Sequence, residues 1–135
     1  MHITLSSVNF LTSMETLTLT KREIDRLVAE RVMGWTNLYG AGTRFGTTPE
    51  GKSHRIVPPY STDMSAAWEV VERLRKSGYQ GKIDWARPEL GYECIFWSSP
   101  VPPTEMQLPR AETASLAVCI AALKVMGVLI ELGNL

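Results

Sequence analysis

Apolar residues recur at helical spacing in three stretches of the chain and at alternating spacing between the second and the third. In the first stretch Ile24, Leu27, Val28 and Val32 fall on one helical face. Thr20 and Glu23 occupy the two positions of a capping box: the Thr20 hydroxyl can accept the Glu23 amide while the Glu23 carboxylate reaches back to the Thr20 amide. Leu19 and Ile24 flank this cap as a hydrophobic staple, and Gly34 is placed to end the helix. In the second stretch Met64, Ala67, Trp68, Val71 and Leu74 form the stripe expected to be buried. Pro58 and Pro59 hold the preceding backbone extended, Ser61, Thr62 or Asp63 supplies the N-cap, and Gly78 marks the stop. The third stretch, residues 112–131, is apolar almost all round, which predicts a helix in the interior. Its small residues Ala114, Ala117, Ala121 and Ala122 permit a neighbouring element to come close.

Between these helices, residues 82–86 and 92–98 read as two strands of an antiparallel hairpin across a turn containing Pro88 and Gly91. The second strand has little polarity on either face, which predicts cover on both sides. Residues 35–59 are broken by Gly40, Gly42, Gly46 and Gly51 into a long loop with at most a small hairpin, a length of connection that often serves as a lid or binding loop. Residues 1–19 alternate apolar with Ser and Thr positions and read as a short strand or a leader. The pattern is α+β, with helices layered on a small, mainly antiparallel sheet.

Composition narrows this picture. A chain of 135 residues with 44% hydrophobic content suits one domain, here 20–135, with a single core. Fourteen basic against fourteen acidic residues give zero formal charge, so the long-range positive field of a DNA-binding protein is missing and no DNA partner is expected. Residues 114–130 are interrupted by Lys124 and fall short of the ~20 apolar residues that cross a bilayer, so no membrane association is expected. Cys94 and Cys119 have neither CxxC spacing nor companion histidines and read as two buried thiols of a reducing compartment.

Three segments resemble a known family: Glu23 through Arg31 to Gly34 and Trp35; Tyr60 through Asp63, Ala66, Ala67 and Trp68 to Leu74; and Ala111 through Ser115 and Cys119 to Leu123. Together they make the chain similar to the phage ABA sandwich domain proteins over residues 20 to about 128. The resemblance implies an αβα sandwich-like fold, a bacteriophage or prophage origin, and action in the cytoplasm of the bacterial host. It also implies that residues 1–13 are an extension ahead of a start at Met14.

The chemistry-bearing residues are few. His2 and His54 are the histidines; His2 with Thr4 matches half of a two-histidine phosphoesterase signature, and His54 with Ile56 fails to supply the other half. Glycine-rich nucleotide loops, zinc-protease motifs and the nucleophile elbow are absent from the sequence, and the carboxylates are scattered. The expectation is no catalytic residue, no metal and no cofactor. What remains is a binding inventory. Tyr60, Ser61 and Thr62 stand where extended chain meets a helix N-terminus, a seat suited to phosphate or carboxylate, although Asp63 adds negative charge there and the same residues serve equally as a cap. Glu112 and Thr113 open the third helix with the same ambiguity. Trp35, at a helix end beside the long loop, is the expected stacking platform, whereas Trp68 is expected in the core. Arg44, Lys52 and Arg55 in that loop can meet phosphate or stand solvated.

This inventory favours a non-catalytic protein that captures a nucleotide-like molecule. Given the implied phage origin, the expected purpose is sequestering an immune signal such as a cyclic nucleotide or an ADP-ribose derivative. A protein-interaction or structural module and a phosphodiesterase cleaving the same signals stand as alternatives. A homodimer sharing a pocket between subunits is expected, since it would offset the small size of each chain.

Overall fold

The computed structural model describes residues 2–5, 19–40, 44–85, 91–100 and 110–131. The expected start at Met14 lies outside the described residues. The chain runs β1 (His2–Leu5), α1 (Lys21–Val28) continued by a π-helical turn (Ala29–Met33), β2 (Thr36–Tyr39), β3 (Phe45–Thr47), β4 (Arg55–Ile56), α2 (Met64–Lys76), β5 (Gln80–Trp85), β6 (Tyr92–Trp97), β7 (Arg110–Ala111), α3 (Ala114–Val125) and β8 (Val128–Glu131). The strands form two antiparallel three-stranded sheets, ordered β2-β3-β4 and β5-β6-β7, and an antiparallel pair of β1 with β8. With three helices among the described residues the fold is α+β.

α3 is the centre of the molecule. Every residue from Ser115 to Leu123 is buried, because the helix packs against β6 and β5 on one side and against α2, α1 and β8 on others. A helix enclosed in this way has no polar face to keep in water, which is why its sequence is apolar all round. Ala117, Ala121 and Ala122 of α3 are at most 2% exposed, and α2, which packs on α3, buries Ala66, Ala67, Val70 and Leu74. Small residues on both helices bring the backbones close and leave no room for an indole between them. The buried stripe of α2 is therefore shifted from the expected one: Trp68 is 51% exposed and Met64 lies at the surface.

α1 begins on the expected capping box, with Thr20 N donating to Glu23 Oε1 at 2.7 Å and Glu23 N to Thr20 Oγ1 at 3.1 Å. Leu19 and Ile24 are both buried at this end. The other end closes at Gly34, whose φ of 86° is the left-handed conformation that glycine adopts without strain. This reversal turns Trp35 back onto the helix, as a hydrophobic residue after a left-handed cap commonly is, and Trp35 is buried at 7%.

Two expectations need correction. The third helix ends at Val125 instead of continuing to 131, because Gly127 at φ 87° breaks it and the β-branched and aliphatic run that follows becomes β8. Residues 2–5 take the strand alternative and pair with it, His2 opposite Glu131 and Leu5 opposite Val128. The long loop carries a third short strand beyond the expected hairpin, with Phe45 opposite Ile56 and Gly46 opposite Arg55. Among the described residues no helix is long and apolar enough to cross a membrane.

Candidate functional site

The residues expected to bind a ligand fall into three groups. Tyr60 and Ser61 are 1% exposed, and Trp35 joins them in the core. Burial raises the Tyr60 phenol well above its usual range, against a hydrogen-bonding interaction with Trp35. Neither ring offers a face to solvent, which corrects the expectation that Trp35 is the stacking platform. Ser61 uses its polar atoms internally. Its amide donates to Asp25 Oδ1 at 2.7 Å, its hydroxyl to the Lys21 carbonyl at 3.1 Å, and its own carbonyl accepts from Ser115 Oγ at 3.1 Å. Ser115 in turn lies 3.3 Å from the Thr113 hydroxyl, which caps α3 by accepting from Leu116 N at 3.2 Å. The expected anion seat is thus a polar tie that joins α1, the lead-in to α2 and the start of α3.

Beside it, the Thr62 and Asp63 amides both donate to the Pro59 carbonyl, and Asp63 caps α2 by accepting from Ser65 N at 2.9 Å. Amides spent in this way are not free for a phosphate. Glu112 is exposed and stands 3.6 Å from Lys21 Nζ, a surface ion pair of little energy. Arg44 and Arg55 are exposed on the small sheet, where the Arg44 carbonyl accepts from Val57 N at 2.7 Å. On the same sheet the Tyr39 hydroxyl lies 2.7 Å from His54 Nδ1.

A different place in the molecule is concave. Between α2 and the β5–β6 hairpin lies a groove of about 590 Å³, within the range of small-molecule sites. α2 contributes Trp68, Val71, Glu72 and Arg75, whose spacing places them along one stripe next to the buried one. β5 contributes the stretch from Gln80 to Ile83, and Phe96 of β6 forms the floor. Gly81 leaves the Phe96 ring the room to lie against β5. A Cβ there would come within 2.7 Å of the Phe96 ring, so any larger residue would displace the ring. None of the eight expected residues lines this groove. The signal that could have found it is the competition between Trp68 and the Ala66–Ala67 pair for the α3-facing side of α2.

The groove is apolar inside and charged at its rim. Arg75 donates to Glu72 Oε1 through Nη2 at 2.9 Å and Nε at 3.1 Å, and this hydrogen bonding holds the Glu72 carboxyl below its usual range. Lys82 Nζ lies 3.2 Å from Asp84 Oδ2. Both cations are about two-thirds exposed, at 64% and 63%; Arg75 stands on the groove side, where an incoming anion can reach it, whereas the Lys82 side chain leaves from the opposite face of β5. The two cysteines lie elsewhere, in the core. Burial pushes the Cys94 thiol up to about 12 and the Cys119 thiol well above its usual value, which removes the thiolate needed for nucleophilic work.

No curated protein sequence matches the chain. Among solved structures it is similar to a crystal structure of a phage protein from Bacillus cereus ATCC 14579, with a TM-score of 0.69 and 22% identity over 87% of this chain and 96% of that one. At that identity the likeness speaks for the fold. The pattern of the phage ABA sandwich domain matches residues 26–123, which run from the last turn of α1 to the end of the buried part of α3, and the chain belongs to the phage ABA sandwich domain family.

Proposed function

We propose that this phage protein captures a small nucleotide-like molecule in the groove between α2 and the β5–β6 hairpin and releases it unchanged. The observation that carries the reading is Trp68. An indole 51% exposed on the wall of an apolar groove offers its face to a planar ring, and stacking of a base on an aromatic side chain is worth about 1–3 kcal/mol. Arg75 at the rim is placed to meet phosphate, exchanging its carboxylate partner for it.

Capture without cleavage is supported by the lining itself. Among the described residues it contains no histidine, cysteine, serine or threonine, and their one carboxylate, Glu72, is held ionised by Arg75, a poor state for a general acid near neutrality. The purpose this suits in a phage is withholding an immune signal of the cyclic nucleotide or ADP-ribose type from a host defence effector in the bacterial cytoplasm.

Calorimetric titration with a panel of cyclic nucleotides and ADP-ribose derivatives tests the proposal. Binding by at least one of them is expected, with recovery of intact nucleotide by mass spectrometry after heat denaturation. Absence of binding across the panel would remove the reading in favour of a protein-interaction module. A shortened or hydrolysed product would replace capture with phosphodiesterase activity.

A further inference from the structure

We propose that two copies of this chain pair through β5, edge to edge, and that each copy places its Trp85 on the groove of the other. Among the described residues β5 pairs with β6 alone, so the backbone groups on its other side form a six-residue edge. Such an edge is a template for another strand. The pairing with β6 sets which side chains share a face: Gly81, Ile83 and Trp85 lie opposite Phe96, Cys94 and Tyr92, the side toward the helices. Gln80, Lys82 and Asp84 lie on the other face.

An isologous antiparallel pair about a two-fold axis normal to the sheet keeps both α2 helices on one side. Three registers centre such an axis on β5 residues 82 to 84. Centring on Lys82 sets lysine against lysine, and centring on Asp84 sets aspartate against aspartate. Like charges directly opposed are unfavourable. Centring on Ile83 alone sets each Lys82 opposite Asp84 of the second copy, so that charge selects one register.

That same register sets Trp85 opposite Gly81. Trp85 is 65% exposed, the most exposed of the large hydrophobic residues described, and Gly81 is the position on the groove that has no side chain of its own. The Phe96 ring already lies over Gly81 from the β6 side, and an aromatic residue across from an edge glycine adds a second ring beside it. Trp85 of the second copy then lies on the groove next to Phe96 and faces the side that carries Trp68, occupying part of the 590 Å³ and leaving the remainder as a cleft with an indole on each flank. The two-walled cleft rests on the ligand reading above, whereas the strand pairing stands without it.

Light scattering on the nucleotide-free chain over a dilution series tests the pairing. The expected mass is twice 15.0 kDa, falling toward the single-chain value on dilution. K82D and D84K, each at an exposed or half-exposed position, are expected to weaken association at least tenfold with unchanged circular dichroism. The double variant K82D/D84K is expected to restore it, since the two exchanged charges would again meet with opposite sign across the pair. W85A is expected to weaken it at least tenfold as well. A wild-type monomer at every concentration, a dimer indifferent to K82D, or a double variant that stays monomeric would overturn the proposal. The readout needs no nucleotide, so failure of nucleotide binding leaves the pairing standing, and a monomer that binds ADP-ribose sinks only the pairing.

Discussion

Asp25 is 4% exposed and keeps one oxygen on the Ser61 amide, which makes it the most consequential polar residue of the interior. Desolvation raises its pKa above 3.8, and hydrogen bonds from Ser61 and the charge of Arg22 oppose the rise. A carboxyl whose folded pKa exceeds its unfolded value binds its proton more tightly in the native state. Its contribution is therefore fully present below about 3.8 and is lost as pH rises through the raised folded value. Asp25→Asn keeps an acceptor for Ser61 and removes the ionisation, so urea unfolding at about pH 4 and about pH 7 should differ less for the variant than for the wild type. Asp25→Ala leaves the Ser61 amide unpaired and should cost about 1–3 kcal/mol in the same measurement. The tryptophans give a second contrast at this scale. Trp35→Ala empties a core position and should cost about 3–5 kcal/mol, while Trp68→Ala should change stability by about 0.5 kcal/mol and abolish nucleotide binding.

The elements differ in how plainly their causes are written in the chain. α1 was legible at both ends because a capping box and a left-handed glycine act within a single turn, and local hydrogen bonding decides them. The antiparallel pairing of β5 with β6 was legible for a related reason, since the apolar pattern of each strand is local. The faces of α2 were not. Trp68 and Ala67 compete for the same side, and what settles it is the small-residue surface of α3, far along the chain and invisible to a helical wheel of α2 alone. The groove follows from that settlement, which is why none of the expected binding residues lines it. The anion seat was misread because the partners that consume its amides and hydroxyl, Asp25 and Ser115, come from other elements. A direct check of this packing account is Ala121→Leu, which overfills the core around α3 and should cost about 1–3 kcal/mol in thermal unfolding. Gly34→Ala, by comparison, should cost about 1–2 kcal/mol through its left-handed backbone alone.

At the scale of the whole molecule, α3 holds the layers together and the groove sits at their margin with the core residue Phe96 as its floor, so a ligand there would stabilise the assembled fold from its edge. A nucleotide present at about 100 times its Kd should add about 2.7 kcal/mol to unfolding, and the Trp68→Ala protein should show none of this gain. The enclosure of α3 has a chemical corollary. Cys94 on β6 and Cys119 on α3 lie at the seam between sheet and helix, each shut away from water. Alkylating reagents can reach them only when that seam parts, so the rate at which iodoacetamide modifies the native protein is a clock for the opening of sheet from helix, read at two sulfur atoms whose place in the fold is one of packing.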